Sequence, residues 1–117
     1  QGLVTYSNES KIQRLGVSED TITRYGAVSK ETAKEMVKGV LKTTDADIGV
    51  AVTGIAGPGG ATQDKPVGLV YIGIGDKKGY LKVNRYNLLG GRKKVQQSSA
   101  SIALDSVRRV LLNLDLD

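Results

Sequence analysis

The chain has 117 residues, 39% of them hydrophobic and 25% charged, the length and composition of one ordinary soluble domain. No stretch approaches the roughly 20 consecutive apolar residues of a membrane span, and no charged-then-apolar leader opens the sequence. With no cysteine and no histidine, disulfides, thiol nucleophiles and the commonest transition-metal ligands are excluded, which leaves carboxylates for an ion such as Mg²⁺, to which nothing points; a cytoplasmic location is expected.

In chain order, residues 2–6 read as a short apolar strand. Residues 8–15 then read as a short helix with Ile12 and Leu15 inward, closed by Gly16. Ser18 caps a turn of helix that carries Glu19 and Asp20 at its positive end. Ser29 is the N-cap expected for the next helix, where Ala33, Met36, Val37, Val40 and Leu41 recur at helical spacing and face a core. Residues 47–53, D-I-G-V-A-V-T, form a near-continuous apolar run. Such a run reads as a strand buried on both faces, as in parallel sheets covered by helices. A long glycine-rich loop, residues 54–68, follows. Residues 69–75 and 80–88 read as two strands of an antiparallel hairpin turning at residues 76–79. Gly90-Gly91 precedes a long helix over residues 92–113, with Val95, Ile102, Val107, Val110 and Leu111 on its inner side. This order predicts an α/β fold, one mixed and mainly parallel sheet with helices packed on it.

The net charge of +5 invites a nucleic-acid reading. Against it, the cations are spread along the chain beside acids, and the one dense cluster is Arg92, Lys93 and Lys94. The five aromatics, all tyrosine, form no stacking motif.

Two stretches carry more chemistry than their local structure requires. Y-S-N-E-S-K, residues 6–11, places a phenol, a hydroxyl, an amide, a carboxylate and an amine directly after a buried strand. A turn alone is better served by glycine, proline, asparagine and aspartate. T-G-I-A-G-P-G-G-A-T-Q-D-K-P-V-G, residues 53–68, follows the central strand, and ligands of open α/β sheets bind at carboxyl ends of strands. Gly54, Gly57, Gly59 and Gly60 let backbone approach a ligand and direct amides at it. No G-K-[ST] follows at Walker spacing, and Gly73, Gly75 and Gly79 miss G-x-G-x-x-G by one residue. Without Cys or His, a nucleophile is restricted to Ser, Thr, Tyr, Lys or a carboxylate, and a base to Lys, Tyr or a carboxylate.

Together, Y-S-N-E-x-K, L-G-V at residues 15–17, G-A-V-S at residues 26–29, and A-V-T-G-I-A-G-P-G-G with K-P-V-G downstream resemble the C-terminal domain of the CinA (competence/damage-inducible) family. The resemblance spans nearly the whole chain as a single domain, residues 1–117. It implies a three-layer α/β/α sandwich and a nicotinamide-nucleotide amidase. Such an enzyme hydrolyses the carboxamide of nicotinamide mononucleotide to nicotinate mononucleotide and ammonia, a step of pyridine-nucleotide salvage, with no metal or organic cofactor. It implies a serine nucleophile with Tyr6 and Lys11 nearby, Thr53 at the site, and Arg92 as the match to a site arginine. Beside these matches, Ser7, Asn8 and the four loop glycines are expected as substrate contacts, with a helix N-cap the alternative role for Asn8. A lysine that is desolvated or flanked by cations is poised to act as a base. The family's serine belongs to an E-S-x-T-G-G-like segment upstream of Y-S-N-E. The chain is therefore expected to lack the first strand and helix of the domain and to be inactive alone. Ala61 stands where the family favours a glycine, and Gln63-Asp64 where it favours Pro-Glu. A homo-oligomer is expected, no membrane partner is, and a non-catalytic nucleotide- or phosphate-binding module of the same fold is the alternative.

Overall fold

The computed structural model describes residues 15–113. Tyr6, Ser7, Asn8 and Lys11, with the expected strand and helix before residue 15, lie outside the described residues. The elements are α1 (Glu19–Tyr25), α2 (Lys30–Thr43), β1 (Ile48–Gly54), β2 (Leu69–Asp76), β3 (Leu81–Asn87) and α3 (Gly91–Leu111). Among the described residues no helix is long and apolar enough to cross a membrane.

Helix starts follow from side-chain caps. Ser18 sits in extended backbone and its hydroxyl accepts from the Asp20 amide, satisfying a donor that the first turn of α1 cannot. Ser29 does the same for α2, accepting from the Thr32 amide at 3.1 Å. Glu35, on α2, ties the two helices together. One carboxylate oxygen accepts from the Ser18 amide at 2.7 Å, and the other accepts from the Thr21 hydroxyl.

The three strands form one sheet in the order β1-β2-β3. Ile48 pairs with Asp76 and Gly54 with Val70 in the first ladder, Leu69 with Asn87 and Gly75 with Leu81 in the second. Both ladders are antiparallel, so the expectation of a mainly parallel sheet is corrected for the described strands. A parallel neighbour needs a crossover, usually a helix, and residues 55–68 return from β1 to β2 without one. The apolar run of β1 reflects helices on both faces, which antiparallel strands can also carry. At the β2–β3 turn the Asp76 carboxylate accepts from the Lys78 and Tyr80 amides at 2.9 and 3.0 Å, and Gly79 takes the positive φ.

Alternation along β1 sends Ala51 and Thr53 to one face and Val50 and Val52 to the other. On the first face Met36 and Val37 of α2 close a core with Leu15, Val17 and Ala51. The stripe expected for α2 is present, with Ala33, Met36 and Val37 buried and Val40 and Leu41 packed at its margin. This helix lies very close to the sheet. A methyl carbon added at Gly73 would fall 2.9 Å from Val37 Cγ2, and at Gly75 it would fall 2.9 Å from Val37 Cγ1. These strand glycines therefore admit a helix, not a phosphate. On the second face Val95 of α3 packs with Val70 and Ile72, flanked by Ile102 and Ala103. The result is the expected α/β/α layering. One inward assignment on α3 is corrected: Leu111, the last residue of the helix, is 66% exposed.

Candidate functional site

On the α3 face, a cleft of about 450 Å³ opens at the carboxyl end of β1, within the size range of small-ligand sites. Its floor is Val52, Gly54 and Val70 of the sheet with Ala56 of the loop. Its wall is one side of α3: Arg92, Val95, Gln96, Ser99 and Ala100. These helix positions follow 3- and 4-residue spacing and so share a face. Val52 is 40% exposed here, although its neighbours Ala51 and Thr53 are buried. Ser99 is buried and its hydroxyl donates to the Val95 carbonyl at 2.7 Å, which leaves Arg92 and Gln96 as the polar side chains of the wall.

The helix that walls the cleft starts with three cations, of which Arg92 lines the cleft. α3 begins at Gly90, whose backbone is left-handed and supplies no side-chain cap, and its first turn holds no acid. Arg92, Lys93 and Lys94 are all exposed there. Cations at the amino end of a helix add to the positive end of its dipole. Arg92 also secures the glycine loop, donating from Nη1 to the Gly57 carbonyl at 3.1 Å. Away from this first turn, Asp105 is ion-paired with Arg109 and Arg108, whose guanidinium groups hold its carboxyl below the usual carboxylate range.

The loop leaves β1 as a continued ladder, with Ile55 donating to Leu69 and Gly68 donating to Ile55. Gly57 is buried, joined to Pro58 by a cis peptide, and packs so near Val67 that an added methyl carbon would lie 2.7 Å from Val67 Cγ1. Gly59 and Gly60 are exposed, and an added carbon at Gly59 would meet no atom within 4 Å. Gly54 is held against β2, 2.8 Å from Val70 Cγ2 by the same measure. Near the end of the loop, Thr62 and Lys65 exchange backbone hydrogen bonds of 2.9 and 3.2 Å.

Of the residues singled out in the sequence, Gly54 and Arg92 line the cleft, and Gly57 is joined to it through Arg92. Gly59 and Gly60 lie further along the same loop. Thr53 is at the end of β1 but on the opposite face: it is buried, and its hydroxyl donates to the Ala27 carbonyl at 2.7 Å. Sequence reasoning missed Val52, Ala56, Val70, Val95, Gln96, Ser99 and Ala100. The signal was present as a helical face counted from Arg92 and an alternate-residue face counted back from Ala56, and it needed only the layer order to join the two.

Fold and cleft define a three-layer α/β/α domain with a small-ligand cleft at the carboxyl end of its first described strand. The chain belongs to the CinA C-terminal domain family, whose model matches residues 1–111. A CinA-like protein of Endomicrobium trichonymphae is 56% identical over 110 residues, covering 94% of this chain and 26% of its own length. A CinA-like protein of Kosmotoga olearia is 50% identical over 114 residues, covering 97% of this chain and 27% of its own. The chain thus spans about a quarter of the length of these relatives. Among solved structures, the competence/damage inducible protein CihA from Agrobacterium tumefaciens superposes with a TM-score of 0.89 at 40% identity, over 94% of this chain and 66% of that one. The competence damage-inducible protein A (ComA) from Klebsiella pneumoniae gives 0.88 at 31% identity, over 96% and 69%.

Proposed function

We propose that this chain is the substrate-holding part of an amidohydrolase that converts nicotinamide mononucleotide to nicotinate mononucleotide and ammonia. The observation that carries this reading is the meeting of Arg92, the glycine loop and an apolar-walled cleft within a CinA C-terminal domain. The substrate offers three features: an anionic phosphate, a flat pyridinium ring and a carboxamide. Three uncompensated cations at the start of a 21-residue helix weaken that helix unless an anion sits there. The phosphate suits that position, held by Arg92 and the amides of Gly57, Gly59 and Gly60. Val52, Ala56 and Val95 offer apolar surface of the kind a ring needs.

The chemistry is addition of an oxygen nucleophile to the carboxamide carbon, followed by breaking of the C–N bond. The leaving nitrogen takes the nucleophilic serine's proton and departs as ammonia, leaving the acyl group on the serine oxygen. Water then adds to the acyl carbon, and the bond to the serine oxygen breaks. The serine takes back a proton from that water, and the nicotinate carboxylate leaves as the other proton is released. The nucleophile is a serine of the family's E-S-x-T-G-G segment, with Tyr6 and Lys11 moving its proton and Ser7 and Asn8 contacting substrate. Thr53, whose hydroxyl is already engaged by Ala27, acts by holding the backbone beneath the loop. Each oxyanion donor lowers the barrier by about 3 kcal/mol.

The test is ammonia release from nicotinamide mononucleotide by this chain joined at its amino end to the E-S-x-T-G-G segment of a family member. Activity that Lys11→Ala abolishes and Arg92→Ala weakens mainly through KM is expected. Absence of ammonia release in the joined form, with binding retained, would favour a nucleotide-binding module instead.

A further inference from the structure

Three consecutive carbonyls at the carboxyl end of α1 accept hydrogen bonds from side chains of three different segments. Lys65 Nζ donates to the Tyr25 carbonyl. The hydroxyls of Ser29 and Thr32 donate to Gly26 at 3.0 and 2.7 Å. Thr53 donates to Ala27 at 2.7 Å. The outer two donors flank the glycine loop, Thr53 just before it and Lys65 near its end. Residues 25–27 are thus a fixed bracket to which both ends of the loop are fastened.

Lys65 is well suited to this. Its ammonium meets a carbonyl in the last turn of a helix, where cations are favoured by the dipole and by charge-assisted hydrogen bonding. It lies directly across Gly26, since a methyl carbon there would be 2.7 Å from Nζ. The positive φ of Gly26 accounts for glycine at the first position of G-A-V-S. The backbone of Lys65 is paired with Thr62, so the tether acts on the loop tip and not only on its own side chain. Without the tether, residues 56–64 are held from outside mainly by the Arg92 bond to Gly57, and a segment with so few fixed contacts opens readily.

We infer that Lys65 is a positioning residue of the site: by binding the end of α1 it holds the amides of Gly57, Gly59 and Gly60 in the arrangement that receives the phosphate. This rests on the nucleotide reading given above, but the tether is measurable without it. The experiment compares the 117-residue chain with Lys65→Met, which keeps the apolar stem, and Lys65→Arg, which keeps a donor cation. Amide hydrogen exchange is followed at Thr62 and Lys65, whose amides donate hydrogen bonds within the loop, and nicotinamide mononucleotide affinity is measured by titration.

Lys65→Met is expected to speed loop exchange about tenfold, the loss of one charge-assisted hydrogen bond, while α2 and the sheet exchange as before. Affinity falls by a similar factor, and Lys65→Arg keeps both close to the parent values. Unchanged loop exchange in Lys65→Met would overturn the inference. So would weaker binding without faster exchange, because Lys65 would then be touching the ligand itself. A parent chain that binds no nucleotide would refute the proposed function, and the exchange comparison would still decide the tether.

Discussion

On one face of the sheet, α2 lies so close to the strands that glycines run beneath it; on the other, α3 stands away and leaves a cleft of about 450 Å³. The same three strands serve both faces, so the difference comes from side chains. Beneath α2 the sheet presents Ala51, Gly73 and Gly75, and the helix sinks onto them. Beneath α3 it presents Val52, Val70 and Ile72, which hold the helix off. The cleft includes Arg92 at the end where α3 begins, after Gly90-Gly91, with a charged turn rather than an apolar one. The α2 face is built for stability, and a protein interior packed to that density has little room for change. The α3 face keeps apolar surface and cations open at one end, which is what a charged, flat ligand requires.

The contrast can be broken most forcefully at Gly73. Gly73→Val places branched carbons against Val37, Val83 and the Ala33 carbonyl, and overpacking of this kind costs about 3 kcal/mol. Denaturant unfolding is expected to show that loss, whereas Leu104→Gln on the exposed side of α3, where Leu104 is 72% exposed, should stay within about 0.5 kcal/mol of the parent. A smaller effect is expected at Ser29, buried and capping α2. Ser29→Ala should cost about 1 kcal/mol by the same measurement, and part of that loss would come through the bracket at Gly26. The smallest effect lies on α3 itself. Arg109 and Arg108 depress the Asp105 carboxyl, so their pairing stabilises the fold above the ordinary carboxylate range and is lost as pH falls below about 4. Thermal unfolding of Asp105→Asn should therefore differ slightly from the parent near pH 7 and converge with it in acid.

Local features were the legible part of the sequence. Ser18 and Ser29 announce their helices, because a hydroxyl before an amphipathic run has one obvious use. Asp76 to Gly79 announces the hairpin in the same way, and the strands start and stop within a residue or two of where their apolar runs do. The antiparallel hairpin of β2 and β3 was read correctly, but the direction of β1 against its neighbour was not, since an apolar run records that both faces are covered and not which way its neighbour points. The helix-free return from β1 to β2 was the better guide. Gly73 and Gly75 read as a failed phosphate loop because sequence spacing does not say whether a missing side chain makes room for a ligand or for a helix. Within the site, Arg92 and Gly54 were found and the rest of the wall was not. Val95, Gln96 and Ser99 share a face with Arg92, but only the packed layers show that Val52 and Ala56 lie opposite. Lys65 was legible only as part of K-P-V-G, because its partner, a main-chain carbonyl 40 residues earlier, leaves no mark on the sequence.

The central claim is that the nucleotide lies on the α3 face, between the glycine loop and the start of the last helix. It is tested most directly by titrating nicotinamide mononucleotide into the isotope-labelled chain and mapping amide shift changes. The account predicts that they centre on Gly54, Gly57, Gly59, Gly60, Arg92 and Gln96, and that Arg92→Ala weakens them about tenfold. Saturable changes centred on α2, or none at millimolar ligand, would contradict it.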